Sequence, residues 1–310
     1  MFFASAKHFN NDTKTSRTGV RLSMTTIGII GAGTMGTGIA LSSALAGYDV
    51  VLYDIADGFL QIAYKNIGTM MDKSIERGKL AHADANAAAV RIRTTTHFDH
   101  LKTADLVIEA AIEKLETKQE LFSKLDEMCG EECIFASNTS SLAITAVASA
   151  TKRPSRVLGL HFFNPAHIMK LVEIIRGQET SDDVMYRAEG YIKQLGKVPV
   201  LAKDTPGFIV NRVARNFYGE AFRLLGDGIA THEQIDRIMK SNGFAMGPFE
   251  LMDLIGIDVN LAVTESVYHQ FFEEPRFRPH PVQQKMVEAN RLGKKTGRGF
   301  YDYSEEKKVR

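Results

Sequence analysis

Long apolar runs are missing from this chain, and so is any marked excess of charge. A bilayer-spanning helix needs roughly 18 or more consecutive apolar residues. The best stretch, residues 104–112, is only nine long and contains Asp105 and Glu109, so no membrane partner is expected. Lysine and arginine number 38 against 37 aspartates and glutamates, and a net charge of +1 argues against a protein that coats nucleic acid. Cysteine is scarce. Cys129 and Cys133, in CGEEC, have no second cysteine or histidine pair nearby to complete a zinc tetrahedron, so they read as reduced thiols of a reducing compartment. His82, His97, His100, His167, His232, His269 and His280 show no metal-ligand spacing with acids, and no metal is expected.

What is present is an ordinary globular composition, 44% apolar and 24% charged, in 310 residues, enough for two domains. Residues 1–24 lack periodicity and carry Lys7, Lys14, Arg17 and Arg21 against the single acid Asp12. They read either as an organelle transit peptide, which places the protein in the mitochondrial matrix, or as a disordered leader upstream of a start at Met24, which leaves it cytoplasmic.

From Thr26 short β-rich runs alternate with helical segments, the pattern of a parallel sheet with crossover helices. Strands are expected near residues 26–30, 49–53, 91–95, 105–110, 133–137, 157–162, 171–175 and 198–202. Between the second and third of these, residues 57–90 carry apolar positions at helical spacing broken near Gly78, which predicts a helical hairpin inserted in the fold. After Asp204 the strand signals stop. Pro206 suits the first turn of a helix, Ile209, Val213, Phe217, Ala221 and Leu225 recur every fourth residue, and Thr231 with Gln234 forms a capping box. The expected fold is α/β: a Rossmann-type, mostly parallel sheet over residues 25–206 and an all-helical domain over 207–310. The helical layer must bury its apolar stripes somewhere, and a homodimer is expected.

Gly31, Gly33 and Gly36 make GxGxxG between the apolar strand TIGII and a helix-competent segment. The first glycine permits a tight turn, the second lets the backbone approach a pyrophosphate, and the third allows close packing of helix on strand. Glycine-rich turns are common, but here DVVLYD ends in Asp54, 23 residues after Gly31, where a carboxylate accepts from an adenosine ribose. An acid there repels a 2′-phosphate and no arginine follows in DIADG, so NAD is favoured over NADP.

The stretch GLHFFNPAHIMKLVEII holds His161 and Glu173, each in a short apolar run of strand-like composition. Beside a dinucleotide fold the pair reads as a proton-transfer dyad, with the imidazole as base and the carboxylate fixing its tautomer. The competing reading is a core histidine satisfied by backbone and a glutamate at a strand edge. Asn138 and Ser140 follow the strand CIFAS, at the carboxyl edge of the sheet where ligands sit, although both residue types also cap helices routinely. Asn211 is a poor helix-interior residue whose amide is a candidate ligand contact.

Taken together, IGIIGAGTMG, ADLVIEAAIE, FASNTSSL, GLHFFNP, MKLVEII, KDTPGFIVNR, MGPFELMDLIG and LGKKTGRGFYDY, in order from Thr25 to Tyr303, resemble the 3-hydroxyacyl-CoA dehydrogenase family. The resemblance is narrower to its short, single-function 3-hydroxybutyryl-CoA members. It implies NAD-dependent, reversible oxidation of an (S)-3-hydroxyacyl-CoA to a 3-ketoacyl-CoA, in fatty-acid or butanoate metabolism, by a homodimer. It further implies His161 as general base, Glu173 as its orienting partner, and Ser140 and Asn211 on the substrate's 3-oxygen and thioester region. Glu113 and Lys118 would lie on the nicotinamide ribose side, and Asn164 and Lys295 would be further cofactor contacts. The chain departs from the family pattern at AHIM, where relatives have a Pro-Val turn, and at Met70 and Arg77, where longer-chain relatives place a serine and a lysine on CoA. Two other readings fit the architecture: a dehydrogenase of a free hydroxy or sugar acid, as in the gulonate dehydrogenase branch, and a non-catalytic crystallin-type dinucleotide binder. The paired His161 and Glu173 argue against the second.

Overall fold

A computed structural model describes residues 24–304; the expected leader, Met24 apart, lies outside the described residues. The described chain divides into two compact units. One runs up to Asn138 and resumes over Ile144–Leu201, and the other joins Thr139–Ala143 to the residues from Ala202 onward.

The first unit is built on one sheet. Its strands are β1 (Thr26–Ile30), β2 (Asp49–Tyr53), β3 (Ile92–Thr95), β4 (Leu106–Glu109), β5 (Ile134–Ser137), β6 (Val157–Phe162), β7 (Leu171–Arg176) and β8 (Val198–Lys203), the last two residues of β8 being counted with the second unit. Their order is β3-β2-β1-β4-β5-β6-β7-β8. Neighbours from β3 to β6 pair in parallel, whereas β6 and β7 run antiparallel. The expected mostly parallel sheet is therefore borne out. Central strands such as IGII, LVIE and IFAS are buried on both faces, so they read as unbroken apolar runs rather than alternating ones. Helix α1 (Thr34–Leu45) is buried from Gly36 to Ala44. The expected hairpin is α2 (Asp57–Glu76) and α3 (His82–Ala89), turning where Gly78 takes a φ of 66°. Helices α4 (Leu115–Met128), α5 (Ile144–Ala148) and α6 (Asp182–Gln194) complete the unit.

The order reverses between β1 and β4, since the chain moves outward from β1 to β3 and then crosses back. Ligands of open α/β sheets sit at such a switch point, beyond the carboxyl ends of the strands. Ile30 and Glu109, the last residues of β1 and β4, face each other in register there.

The second unit contains α7 (Val210–Gly226), α8 (His232–Ser241), α9 (Pro248–Ile255), α10 (Ile257–Gln270) and α11 (Pro281–Glu288). Its core gathers Tyr218, Phe222, Ile235, Phe249, Met252 and Ile257. Two buried aspartates explain motifs that periodicity leaves unread. Asp236 accepts from Phe249 N, Glu250 N and the Tyr301 hydroxyl, while Asp253 accepts from Phe300 N and Tyr301 N. The capping box at Thr231 and Gln234 forms as expected. One expectation is corrected. Residues 206–209 are a turn rather than the first turn of a helix, because Gly207 and Phe208 take left-handed backbone, with φ of 72° and 48°. Helix α7 therefore starts at Val210, and Asn211 is its second residue.

Candidate active site

β1 ends in the glycine turn. Gly31 has a φ of 98°, and a Cβ on it would lie 2.6 Å from Ala110 O, so no other residue fits without displacing backbone. A Cβ on Gly36 would strike Gly31 O, whereas one on Gly33 would meet open space. Gly33 is also the N-cap of α1, which has no side-chain cap and no acid in its first turn. The leading N–H groups and the positive helix end are thus left to an anion. Asp54, just past β2, accepts from Ala32 N at 2.7 Å through Oδ2 and from Ala56 N at 3.2 Å through Oδ1. It ties the turn to the next strand's loop and keeps further lone pairs for ribose hydroxyls. Turn, helix end and carboxylate fit a dinucleotide.

His161 and Glu173 are brought together by the antiparallel pairing of β6 with β7, in which they are direct cross-strand partners. Nδ1 of His161 donates to Oε2 of Glu173 at 2.7 Å. The residues are 6% and 0% exposed, and the Phe163 ring lies 4.5 Å from the imidazole, centroid to centroid. With Nδ1 carrying its hydrogen toward the carboxylate, Nε2 is the basic nitrogen of the ring. Strand-like composition places each residue on its strand, and the register of the antiparallel ladder sets them opposite one another.

Asn138 is anchored to the same strand, accepting from Phe162 N at 2.9 Å. The loop after β6 carries Asn164, exposed, and is pinned from below by Lys197, whose ammonium donates to Ala166 O at 2.6 Å and Met169 O at 2.8 Å. Burial holds the Lys197 pKa below the usual lysine range. In that loop His167 Nδ1 is buried with no hydrogen-bond partner among the described residues, and burial, then the Lys197 charge, holds its pKa below the usual histidine value.

Glu113 and Lys118 lie 3.2 Å apart. Lys118, in the first turn of α4, is 1% exposed, and its main partner is Glu109, a residue that sequence reasoning used only against a membrane span. The signal was an acid closing an otherwise apolar strand, where a solvated carboxylate has no place.

The helical unit holds the remaining candidates. Asn211 Nδ2 donates to Ser140 O at 3.2 Å, which joins the segment after β5 to α7. Arg215, one turn on, donates to Asn211 O, Asn260 O and Thr264 Oγ1 and locks α7 against α10; burial lowers its pKa to about 10. Lys295 is ion-paired with Asp258 at 2.6 Å.

Comparison with known proteins agrees with this construction. Residues 26–205 match the model of the 3-hydroxyacyl-CoA dehydrogenase NAD binding domain, and residues 207–303 match that of the 3-hydroxyacyl-CoA dehydrogenase C-terminal domain. The chain is 46% identical to the 3-hydroxyadipyl-CoA dehydrogenase of Escherichia coli over 93% of its own length and 61% of that protein's, which is thus the longer of the two. It is 42% identical to the 3-hydroxybutyryl-CoA dehydrogenase of Clostridioides difficile, covering 90% of this chain and 99% of that one. The crystal structure of (S)-3-hydroxybutyryl-CoA dehydrogenase from Ralstonia eutropha superposes with a TM-score of 0.87 at 45% identity, over 91% of this chain and 99% of that one. With both domain models matched in order, as the motifs implied, this chain belongs to the 3-hydroxyacyl-CoA dehydrogenase family.

Proposed function

We propose that this protein is an NAD-dependent (S)-3-hydroxyacyl-CoA dehydrogenase that interconverts 3-hydroxybutyryl-CoA and its 3-keto product. The observation that carries the reading is the 2.7 Å bond between His161 Nδ1 and Glu173, in the same unit as the glycine turn and Asp54. Bound NAD supplies the hydride acceptor. Nε2 of His161 takes the hydroxyl proton as the C3 hydrogen departs with its electron pair, and Glu173 holds the tautomer and stabilises the imidazolium that forms. Asp54 holds the adenosine ribose, Gly33 and the start of α1 receive the pyrophosphate, and Glu113, Lys118, Asn138, Asn164 and Lys295 provide the remaining cofactor side. Ser140 and Asn211 hold the substrate oxygen and thioester region.

The reading also includes a homodimer. Its support is the apolar surface of the helical unit, where Val213, Ile238, Phe244, Leu254 and Val259 are exposed. Light scattering at micromolar concentration tests it, and a monomeric mass contradicts it. Among the described residues no helix is long and apolar enough to cross a membrane. Compartment rests on residues 1–24, and sequencing the N-terminus of the native protein distinguishes a mitochondrial matrix enzyme from a cytoplasmic one.

NADH oxidation with acetoacetyl-CoA, compared with free acetoacetate, tests the function. The thioester should turn over at least ~100-fold faster, since CoA contacts are spent on orientation. Comparable rates would favour a free-acid dehydrogenase, and no turnover of either would favour a non-catalytic dinucleotide binder.

A further inference from the structure

Glu109 ends β4 with no exposed surface, yet its carboxylate takes part in four hydrogen bonds: Lys118 Nζ at 2.7 and 2.9 Å, Ala111 N at 2.7 Å and Ser137 Oγ at 2.7 Å. A buried carboxylate this well satisfied is fixed in place, and it fixes its partners. The ammonium it holds lies 3.2 Å from Glu113, whose side chain is 39% exposed. So a rigid buried acid leads through a buried lysine to an accessible acid.

The location gives this relay its meaning. Ala110, next after Glu109, donates its N–H to Ile30 O at 2.8 Å, and its carbonyl occupies the place a Cβ at Gly31 would need. The loop over residues 110–114 therefore lies against the dinucleotide turn, at the switch point of the sheet. The charges matter too. Glu109 balances Lys118, so the net negative charge of the three groups resides on Glu113, as an acceptor for hydroxyl groups.

We infer that Glu109 is a positioning residue of the cofactor site: acting through Lys118, it sets the Glu113 carboxylate beside the glycine turn to receive the ribose hydroxyls of the nicotinamide half. This rests on the dinucleotide reading above and extends it to a residue that touches no ligand. The bland alternative is an ion pair that merely ties α4 to the sheet.

The two are separated by a ligand that lacks the nicotinamide ribose. Dissociation constants for NADH and for ADP should be measured on the full-length protein with Glu109→Gln, Glu113→Gln, the double variant, and Ser137→Ala, which keeps the Glu109 charge and removes one of its donors. Glu109→Gln should weaken NADH roughly tenfold, the scale of an outer-shell support, and leave ADP within about twofold. The double variant should bind NADH no worse than the weaker single variant by more than about twofold, because both changes break one relay. Ser137→Ala should show the same pattern, smaller, and decides the matter where Glu109→Gln does not fold. Equal weakening of NADH and ADP, no weakening of either, or multiplicative losses in the double variant would overturn the inference. Failure of the unaltered protein to bind either ligand would instead overturn the dinucleotide reading, and this inference with it.

Discussion

His161 and Glu173 are twelve positions apart in sequence but directly opposite each other across the β6–β7 ladder, with Nδ1 to Oε2 at 2.7 Å. Their meeting is a property of strand register. A slip of one residue would send the two side chains to opposite faces of the sheet, so the hydrogen bonds of the ladder that hold the sheet also hold the proposed base and its orienting acid.

Glu173→Gln preserves shape and a hydrogen-bond acceptor but removes the charge behind the imidazole. Turnover with NADH and acetoacetyl-CoA should fall roughly tenfold to a hundredfold, less than for loss of the base itself, with KM for NADH unchanged. Unchanged turnover would reduce Glu173 to a buried acid satisfied within the sheet.

Asp54 accepts two backbone N–H groups and is the proposed partner of the adenosine ribose. Asp54→Asn should raise KM for NADH about tenfold and narrow the preference over NADPH, since the repulsion of a 2′-phosphate is lost. An unaltered protein that used NADPH faster than NADH would contradict the role given to this carboxylate.

Acid should destabilise the fold partly through two imidazoles. Burial, then the Lys197 charge, lowers the His167 pKa, and burial, then Arg223, lowers that of His280, both from 6.5. The unfolded chain therefore takes up these protons at higher pH than the folded chain. It binds more protons as pH falls through about 6.5, and folded stability falls with it. His280 also caps α11, accepting from Val282 N. His280→Asn keeps a capping acceptor without the titration, so urea denaturation should show a shallower loss of stability between about pH 7 and 5. An identical slope would remove His280 from the acid response.

Asp236 is 1% exposed and accepts from two backbone N–H groups at the start of α9 and from Tyr301. Asp236→Ala strands these donors and should cost about 3 kcal/mol in urea denaturation. A loss below ~0.5 kcal/mol would show that solvent reaches them.

Much of this was legible in the sequence. Unbroken apolar runs such as TIGII mark central strands because both faces are covered, and the capping box at Thr231 is a local interaction that sequence encodes directly. The pairing of His161 with Glu173 was readable as an expectation because each sits in an apolar run where an unpaired polar group is costly. The start of α7 was not, because the four-residue periodicity of Ile209, Val213 and Phe217 runs up to the turn, whereas the left-handed backbone at Gly207 and Phe208 depends on tertiary context. Lys118 was also illegible as a buried group, since lysines on helices are ordinarily solvated and its burial is made tolerable by Glu109, on a neighbouring strand, together with Glu113.

The most direct test of the central claim is turnover of His161→Gln with NADH and acetoacetyl-CoA, measured beside its affinity for NADH. A general base predicts a fall in kcat of roughly two to four orders of magnitude with NADH affinity changed less than about twofold. Unimpaired kcat in a variant that still binds NADH would contradict the account.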